Sequence, residues 1–370
     1  MLTNGISILL MNIYQKLILL IFLLLIIGCA PQLKKERIKV GVISPLTGDF
    51  SSYGTDVQRG INLALEEEGF DDVEVIYEDA CLPKEASTAI NKLVSFDEVD
   101  LISGVFCIIS VEPILTITDS RDINVMMVAS VPDSFLGISK NLFSSHFAIR
   151  DEAVKQAEFA YETLGARKAA ILYLDNPFGV SYEKNFAERF EELGGSIVSR
   201  EALDVYKGDF RTPLLKVRTA EPDVALIIHL GTELGLILKQ AKDIRLEFPF
   251  IGTYEAEDVS VIETGGEAAE GLWISASSIE NRSTTIDFRE RFVKKYGEPP
   301  SVISQNAYDA IKLQIGAFKQ CSGDKLCIRN TLKDTKDYEG ASGQFNISPE
   351  GTAKKKIIFK QVQNGEFIVT

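Results

Sequence analysis

Short apolar runs rich in β-branched residues alternate with amphipathic stretches from residue 38 onward. The runs are apolar at successive positions, as in strands buried on both faces, and the stretches between them repeat apolar residues at helical spacing. The pattern predicts strands over residues 39–44, 73–77, 100–106, 124–129, 169–174, 224–230 and 248–254. It predicts helices over residues 55–68, 84–96, 151–164, 180–193, 233–245 and 302–319.

This alternation of strands and helices predicts an α/β fold with parallel sheets covered on both sides by crossover helices. Seven or more such units exceed one comfortable core, which favours two doubly wound parallel-sheet lobes over a single large sheet. An eightfold barrel is the alternative architecture. In open α/β sheets ligands bind at the carboxyl ends of the strands, so the loops that follow the strands are the places to look for a site.

The stretch VISPLTGDFSSYG, residues 42–54, follows this rule because the first predicted strand ends within it. Thr47, Ser51 and Ser52 supply hydroxyl groups, and Tyr53 supplies an aromatic wall, ahead of the helix predicted from residue 55. Such groups suit the lip of a ligand cleft. A plain strand-to-helix loop is the alternative.

The beginning of the chain has the pattern of a signal peptide over residues 1–28, with Met1 or Met11 as its start. Lys16 precedes an apolar run of residues 17–27. Eleven residues at about 1.5 Å each cover only half of a roughly 30 Å hydrocarbon core, which favours a cleaved signal over a membrane-spanning helix.

The signal ends in Gly28 and Cys29, and a small residue before a cysteine resembles the lipobox of bacterial lipoproteins. We therefore expect acylation of Cys29, a tether over residues 29–37, and a protein exported to the outer face of the cytoplasmic membrane, at the cell surface or in the periplasm. An ordinary signal peptide is the alternative. The remaining four cysteines predict two disulfides in an exported protein, and proximity favours Cys81 with Cys107 and Cys321 with Cys327, although three connectivities are open.

Charge and motifs exclude several classes of function. Lys and Arg number 39 against 53 Asp and Glu, a net charge of -14 without a basic stripe, so nucleic acid is not the expected partner. No phosphate-binding, dinucleotide-binding, zinc-protease or nucleophile-elbow motif occurs, and we expect no cofactor, no metal site and no catalytic residue. His146 and His229 are the only histidines, which disfavours zinc. A secreted hydrolase using His229 as general base is the enzymatic alternative.

Six segments occur in order along residues 38–370. They are IKVGVISPLTGDFSSYGTDVQRGINLALEEEG, YEDACLPKEASTAINKLV, LISGVFC, AILYLDNPFG, ILKQAKDIRLEFPFIGTYE and AEGLWIS. In sequence and in order they resemble the type I periplasmic binding proteins, in particular the leucine/isoleucine/valine-binding lipoproteins of branched-chain amino-acid ABC transporters.

This resemblance implies two lobes joined by a three-segment hinge, which close over a small-molecule ligand. Residues 38–149 and 279–356 would form the first lobe, and residues 150–278 and 357–370 the second. The resemblance supports the pairing of Cys81 with Cys107, and it implies a monomer that delivers its ligand to an ABC permease. A receptor that reports the ligand to a membrane sensor is the alternative.

The resemblance also implies where the ligand binds. In the family, hydroxyls and N–H groups after the second disulfide cysteine hold a carboxylate, a second-lobe acid holds an ammonium, and an aromatic residue before a glycine closes each lip. This chain departs from that pattern at Ile108, Val131 and Leu230, so we expect the ligand to be a branched-chain or other amino acid, or a related less polar carboxylate or amide. The predicted ligand-binding residues are Thr47, Ser51, Ser52, Tyr53, Ile108, Ser110, Ala129, Ser130, Val131, Phe178, Leu230, Tyr254 and Glu255. We expect Tyr53 and Phe178 to face each other across the cleft, with truncation of Tyr53 weakening the ligand and leaving ligand-free stability nearly unchanged.

Overall fold

The computed structural model describes residues 37–370 apart from residues 49, 68, 205–207 and 279–281. The predicted signal peptide and Cys29 lie outside the described residues. Within the described part of the chain, no helix is long and apolar enough to cross a membrane.

The first sheet has five parallel strands in the order β2-β1-β3-β4-β5. Its register pairs Val40 with Val75 on one side and with Leu101 on the other. We call the part of the molecule built on this sheet the first lobe. Its strands are β1 (Ile38–Ser44), β2 (Val73–Asp79), β3 (Leu101–Val105), β4 (Val125–Met127) and β5 (Leu142–Ser144).

The second sheet has seven strands in the order β15-β14-β10-β9-β8-β6-β7. Strands β6 to β10 run parallel, whereas β14 and β15 pair antiparallel at one edge. We call the part built on this sheet the second lobe. Its strands are β6 (Lys168–Leu174), β7 (Ser196–Leu203), β8 (Val224–Ile228), β9 (Phe250–Gly252), β10 (Trp273–Ser277), β14 (Ile357–Gln363) and β15 (Glu366–Val369).

A small antiparallel sheet and the helices complete the architecture. The small sheet has the order β11-β12-β13, from β11 (Tyr338–Gly340), β12 (Gly343–Ile347) and β13 (Ala353–Lys354). The α-helices are α1 (Ser51–Leu65), α2 (Pro83–Ser95), α3 (Val111–Arg121), α4 (Ile149–Glu158), α5 (Pro177–Glu192), α6 (Arg211–Ala220), α7 (Gly231–Asp243), α8 (Val259–Gly265), α9 (Ser283–Tyr296), α10 (Val302–Cys321) and α11 (Lys325–Lys333).

The chain passes between the lobes three times, after β5, after β10 and after β13. The crossing segments are joined by backbone hydrogen bonds: the Ala353 N–H donates to the His146 carbonyl at 2.9 Å, and the Ser278 N–H donates to the Lys356 carbonyl at 2.8 Å. The predicted α/β fold with two parallel-sheet lobes is therefore the fold observed, and a single eightfold barrel is excluded.

One predicted boundary is wrong in a way that concerns the site. Helix α1 begins at Ser51, four residues earlier than expected, so Ser51, Ser52 and Tyr53 lie in its first turn and not in a loop. The chain turns at Gly48, which has a positive φ of 78°, and the Ser51 N–H donates to the Gly48 carbonyl at 3.1 Å. The turn at Gly48 thus ends the loop ahead of Ser51 and Ser52, which begin the helix.

Candidate functional site

A cavity of about 730 Å³ lies where strands of both lobes end. The first lobe contributes the loops after β1, β2, β3 and β4, and the second lobe contributes the loops after β6, β8 and β9, as expected for an α/β ligand site. The lining residues are mostly apolar or aromatic. They are Pro45, Thr47, Gly48, Phe50, Asp79, Cys81, Leu82, Glu85, Phe106, Cys107, Ile108, Ile109, Ala129, Leu174, Asn176, Phe178, Leu230 and Glu255.

Two acids on the first-lobe side of the cavity serve the backbone. Asp79 accepts hydrogen bonds from the N–H groups of Leu46 and Thr47 at 2.7 and 3.3 Å and from Thr47 Oγ1 at 2.5 Å. Burial opposes ionisation of Asp79, but these donors hold its pKa below the ordinary value. Glu85 accepts from the N–H groups of Cys81 and Leu82 at 3.3 and 3.2 Å and so caps helix α2. Both carboxylates accept hydrogen bonds from backbone N–H groups of the protein and thereby hold the loops that carry these groups.

The cysteines of the first lobe lie next to the cavity. The Sγ atoms of Cys81 and Cys107 are 2.03 Å apart, a disulfide distance that ties the end of β2 to the end of β3. Cys321 and Cys327 are also at disulfide distance, 2.00 Å, between helices α10 and α11. The structure therefore has both of the cysteine pairs favoured by proximity in the sequence.

Tyr53 does not border the cavity. Its side chain is only 3% exposed and its ring stacks on Phe106, with 4.5 Å between ring centroids. Phe106 is the aromatic residue of this stack that lines the cavity. Ser51 and Ser52 are likewise absent from the lining. Of the four residues expected to form this lip of the cleft, only Thr47 lines the cavity.

The hydroxyls expected to hold a carboxylate are engaged elsewhere. Ser110 is 1% exposed and donates through Oγ to the Cys107 carbonyl at 2.6 Å. Val131 is buried and bridges to Ala148 in the first crossing segment. Ile108 and Ala129 do line the cavity, but their side chains cannot donate hydrogen bonds. The first lobe therefore offers a ligand chiefly apolar side chains.

The second lobe presents its lip through helix α5. Asn176 caps the helix by accepting from the Gly179 N–H at 3.0 Å, and Phe178 in the first turn lines the cavity. Phe178 packs edge-on against Tyr182, with 5.0 Å between ring centroids. Leu230 lines the same side.

Glu255 is the acid that the second lobe places at the cavity. It is 2% exposed and follows β9 in a short helical turn, residues 254–256. Ser130 of the first lobe donates to Glu255 Oε1 through its hydroxyl at 2.5 Å and through its N–H at 3.4 Å. This contact joins the two lobes at the floor of the cavity.

A second buried carboxyl group lies behind Glu255. Glu152, in the first turn of α4, is fully buried, and the Tyr182 hydroxyl contacts both carboxyl groups, at hydrogen-bond distance from Glu152 Oε2 and at 3.4 Å from Glu255 Oε2. Glu152 Oε1 also accepts from Ser275 Oγ and from the Tyr254 N–H at 2.7 Å. Burial raises the pKa of both carboxyl groups, and the charge of Glu255 raises that of Glu152 further.

Tyr254 and the two histidines are buried and do not line the cavity. Tyr254 is 1% exposed and packs edge-on against His146, with 4.1 Å between ring centroids, beside the first crossing segment. Burial depresses the pKa of His146. His229 is 2% exposed, accepts from the Leu230 N–H at 2.9 Å, and has a pKa lowered by burial to about 4. Among the described residues, no group of three or more His, Cys, Asp or Glu could hold a metal ion.

The sequence-based reasoning missed Glu152 and Tyr182. A signal for Glu152 does exist, because it shares the buried face of α4 with Ala153, Gln156 and Ala157. A glutamate and a glutamine among alanines on one helical face indicate buried polar groups that must find partners. No comparable signal distinguishes Tyr182, which projects as an ordinary core aromatic from α5.

The comparisons with known proteins agree with this geometry. The family model for the periplasmic binding protein matches residues 37–366. A leucine-, isoleucine-, valine-, threonine- and alanine-binding protein of Pseudomonas aeruginosa is 24% identical over 331 residues, which cover 86% of this chain and 88% of the relative.

Solved structures give the same result. The leucine-binding protein LivK of Thermotoga maritima is 26% identical, with a TM-score of 0.86 over 90% of this chain and 97% of that one. A solute-binding protein of an ABC transporter from R. palustris, in complex with benzoate, has a TM-score of 0.82 over 90% of this chain and 95% of that one, and at 18% identity this likeness concerns the fold alone. The family model spans nearly all of the described residues, and the chain belongs to the periplasmic binding protein family.

Proposed function

We propose that this protein is the solute-binding component of an ABC importer, which captures a small molecule between its lobes and delivers it to a membrane permease without chemical change. The observation that supports this most directly is the cavity of about 730 Å³ that both lobes line at the ends of their strands. A cleft lined from two lobes can close on a ligand by hinge motion and release it on opening. Residues 38–149 with 279–356 form one lobe in this proposal, and residues 150–278 with 357–370 form the other.

The candidate ligands are branched-chain or other amino acids and less polar carboxylates or amides. The Pseudomonas relative is named for five aliphatic or small amino acids, and the R. palustris neighbour holds benzoate. The largely apolar lining of this cavity, with Ile108, Leu174, Phe178 and Leu230, supports a ligand with an apolar body.

A thermal-shift screen over amino acids, amides, amines and aromatic and aliphatic acids tests the proposal. A ligand present at a thousand times its Kd should stabilise the protein by about 4.1 kcal/mol. Ile109→Trp fills the cavity with a larger side chain and should abolish the shift without altering ligand-free melting. Leu326→Trp, at a side chain 55% exposed on α11, is the matched control and should keep the shift. A shift that survives in Ile109→Trp, or a screen without any hit, would count against the proposal.

We further propose that the protein is exported and anchored through an acylated Cys29, as a monomer. The support is the apolar run that ends in Gly28 and Cys29. Mass spectrometry of protein extracted from membranes should find the thiol of Cys29 modified and residues 1–28 absent. An unmodified Cys29 would contradict the anchor while leaving the binding function untouched.

A further inference from the structure

The two lobes also meet outside the ligand cavity. Asp133–Phe135, a short helical turn in the loop after β4 of the first lobe, packs against helix α5 of the second lobe. Asn185 Nδ2 on this helix donates to Asp133 Oδ2 at 2.7 Å, and the Asp133 N–H donates to Ser181 Oγ at 3.2 Å. Asp133, Ser181 and Asn185 are not among the residues that line the ligand cavity. These hydrogen bonds therefore join the lobes without taking part in the solute site.

The carboxylate of Asp133 depends on the second lobe for its partner. Its Oδ2 atom accepts from Asn185, whereas its Oδ1 atom is buried and has no hydrogen-bond partner among the described residues. Within the described part of the chain, no Lys, Arg or His forms an ion pair with Asp133. The side-chain amide of Asn185 is thus the group that stabilises this charge when the lobes are together.

Cations lie near Asn185 but have other partners. Asn185 lines a cavity of about 470 Å³ beside the crossing segments, together with five Lys and Arg residues. Lys355 donates to the neutral oxygens Asn306 Oδ1 and Ser342 Oγ, at 2.8 and 2.7 Å. Three others are paired with carboxylates: Arg150 with Glu350, Lys155 with Glu158 and Lys354 with Asp151.

The contact between Asp133 and Asn185 is finely balanced. When the lobes part, water reaches both oxygens of the Asp133 carboxylate. When they close, the carboxylate gains a hydrogen bond from Asn185, and one of its oxygens loses water without replacement. Without the Asn185 donor, closing would bury a carboxylate that has no side-chain partner, and the open form would be favoured.

We propose that Asp133 and Asn185 form a latch that holds the two lobes closed while the cleft is empty. A solute then enters during the intervals in which the latch is open. The latch differs from the contact of Ser130 with Glu255, because Glu255 lines the cavity and is within reach of a solute. This inference goes beyond the proposed function, since it concerns the protein without any ligand.

Hydroxyl-radical footprinting of the ligand-free full chain, read by mass spectrometry, tests the latch. Tyr53 and Phe178 are the reporters of lobe separation, one in each lobe. A Cβ atom on Gly231 of the second lobe would lie 3.6 Å from the Tyr53 hydroxyl oxygen, and Phe178 borders the cavity, so both side chains should become more accessible when the lobes part. Phe190, a buried core residue of α5, reports damage to that helix instead.

Two variants exchange the groups of the latch. Asn185→Asp places a second carboxylate against Asp133, and the two charges repel each other in the closed form. Oxidation of Tyr53 and Phe178 should then rise roughly fivefold, while oxidation of Phe190 stays unchanged. The double variant Asp133→Asn with Asn185→Asp again sets one amide against one carboxylate. It should bring both reporters back to within about twofold of the wild type.

Lys184→Gln is the matched control. It makes the same change of one charge at the neighbouring, exposed position of α5, and its oxidation pattern should equal that of the wild type. Equal oxidation of Tyr53 and Phe178 in the wild type and in Asn185→Asp would overturn the latch. So would a rise at Phe190, or a double variant that stays as accessible as Asn185→Asp, because both indicate damage to α5. None of these measurements involves a solute, so the binding function is decided separately by the thermal-shift screen.

Discussion

Each lobe lines the cavity with a segment that runs from a strand end into the next helix. We call the segment from Pro45 into α1 the first lip and the segment from Leu174 into α5 the second lip. The two lips have a similar backbone but are stabilised by different contacts. In each lobe a glycine near the start of the helix lets that helix approach the end of the preceding strand. A Cβ atom on Gly54 would lie 1.8 Å from the Pro45 carbonyl oxygen, and one on Gly179 would lie 2.0 Å from the Leu174 carbonyl oxygen. The two glycines therefore have the same task, which is close packing of the helix on its own strand end.

The reinforcement differs. The first lip has the Cys81–Cys107 pair beside it and an Asp79 carboxylate that holds its loop, whereas the second lip relies on the Asn176 cap. The aromatic residue before each glycine also differs in position, since Tyr53 is covered by the Phe106 ring and Phe178 borders the cavity. A shared local motif fixes the backbone, but the neighbouring strands decide which ring meets the ligand.

The largest expected effect separates the two aromatic residues. Tyr53→Ala removes a buried ring and should lower the ligand-free free energy of unfolding by about 3–5 kcal/mol. Phe178→Ala should lower the free energy of unfolding by only about 2 kcal/mol, because the Phe178 ring borders the cavity. The same change should raise the Kd of the ligand roughly ten- to a hundredfold. Chemical denaturation and calorimetry measure both. If Tyr53→Ala kept the stability of the wild type and bound the ligand less tightly, the sequence-based prediction that Tyr53 contacts the ligand would be right.

The disulfide asymmetry comes next. Replacing Cys81 and Cys107 by Ser opens a loop of sequence separation 26 and should cost roughly 3.5 kcal/mol, against roughly 2.2 kcal/mol for Cys321 and Cys327 with a separation of 6. The first replacement should also weaken the ligand, because both of its cysteines line the cavity. Equal losses of affinity in the two double variants would remove the special role of the first lip.

The glycines test the likeness of the lips. Gly54→Ala and Gly179→Ala each press a methyl group into a backbone carbonyl and should destabilise the ligand-free protein by about 1–3 kcal/mol. Gly316→Ala is the control, since nothing lies within 4 Å of its Cβ position in the interior of α10, and it should be stabilising by about 0.5–1 kcal/mol. A loss confined to one lip would show that the two helices do not depend equally on close approach.

The contrast between these lips also marks what the sequence could foretell. Buried strands and amphipathic helices were readable because periodicity depends on local residues, and the cavity at the strand ends followed from the fold class. The covering of Tyr53 could not be predicted, because Phe106 lies just after β3, 53 residues further along the chain. The same limit applies to Glu152 and Glu255, which only the folded second lobe brings to one hydroxyl group.

The smallest expected effects come from the polar groups that hold each lip. Asn176→Ala removes the cap of α5 and should cost about 1 kcal/mol, while Thr47→Val removes one of three donors to Asp79 and should cost less, about 0.5 kcal/mol. The two variants should differ in how their stability changes as the pH falls. The pKa of Asp79 is held below its ordinary value, so its contribution is complete above that value and is lost as the pH falls toward the lowered one. Thr47→Val should therefore reduce the amount of stability that is lost on acidification, and Asn176→Ala should leave that amount unchanged. Thermal melts between pH 3 and 6 decide the matter: equal pH profiles in the two variants would mean that Asp79 does not hold the first lip.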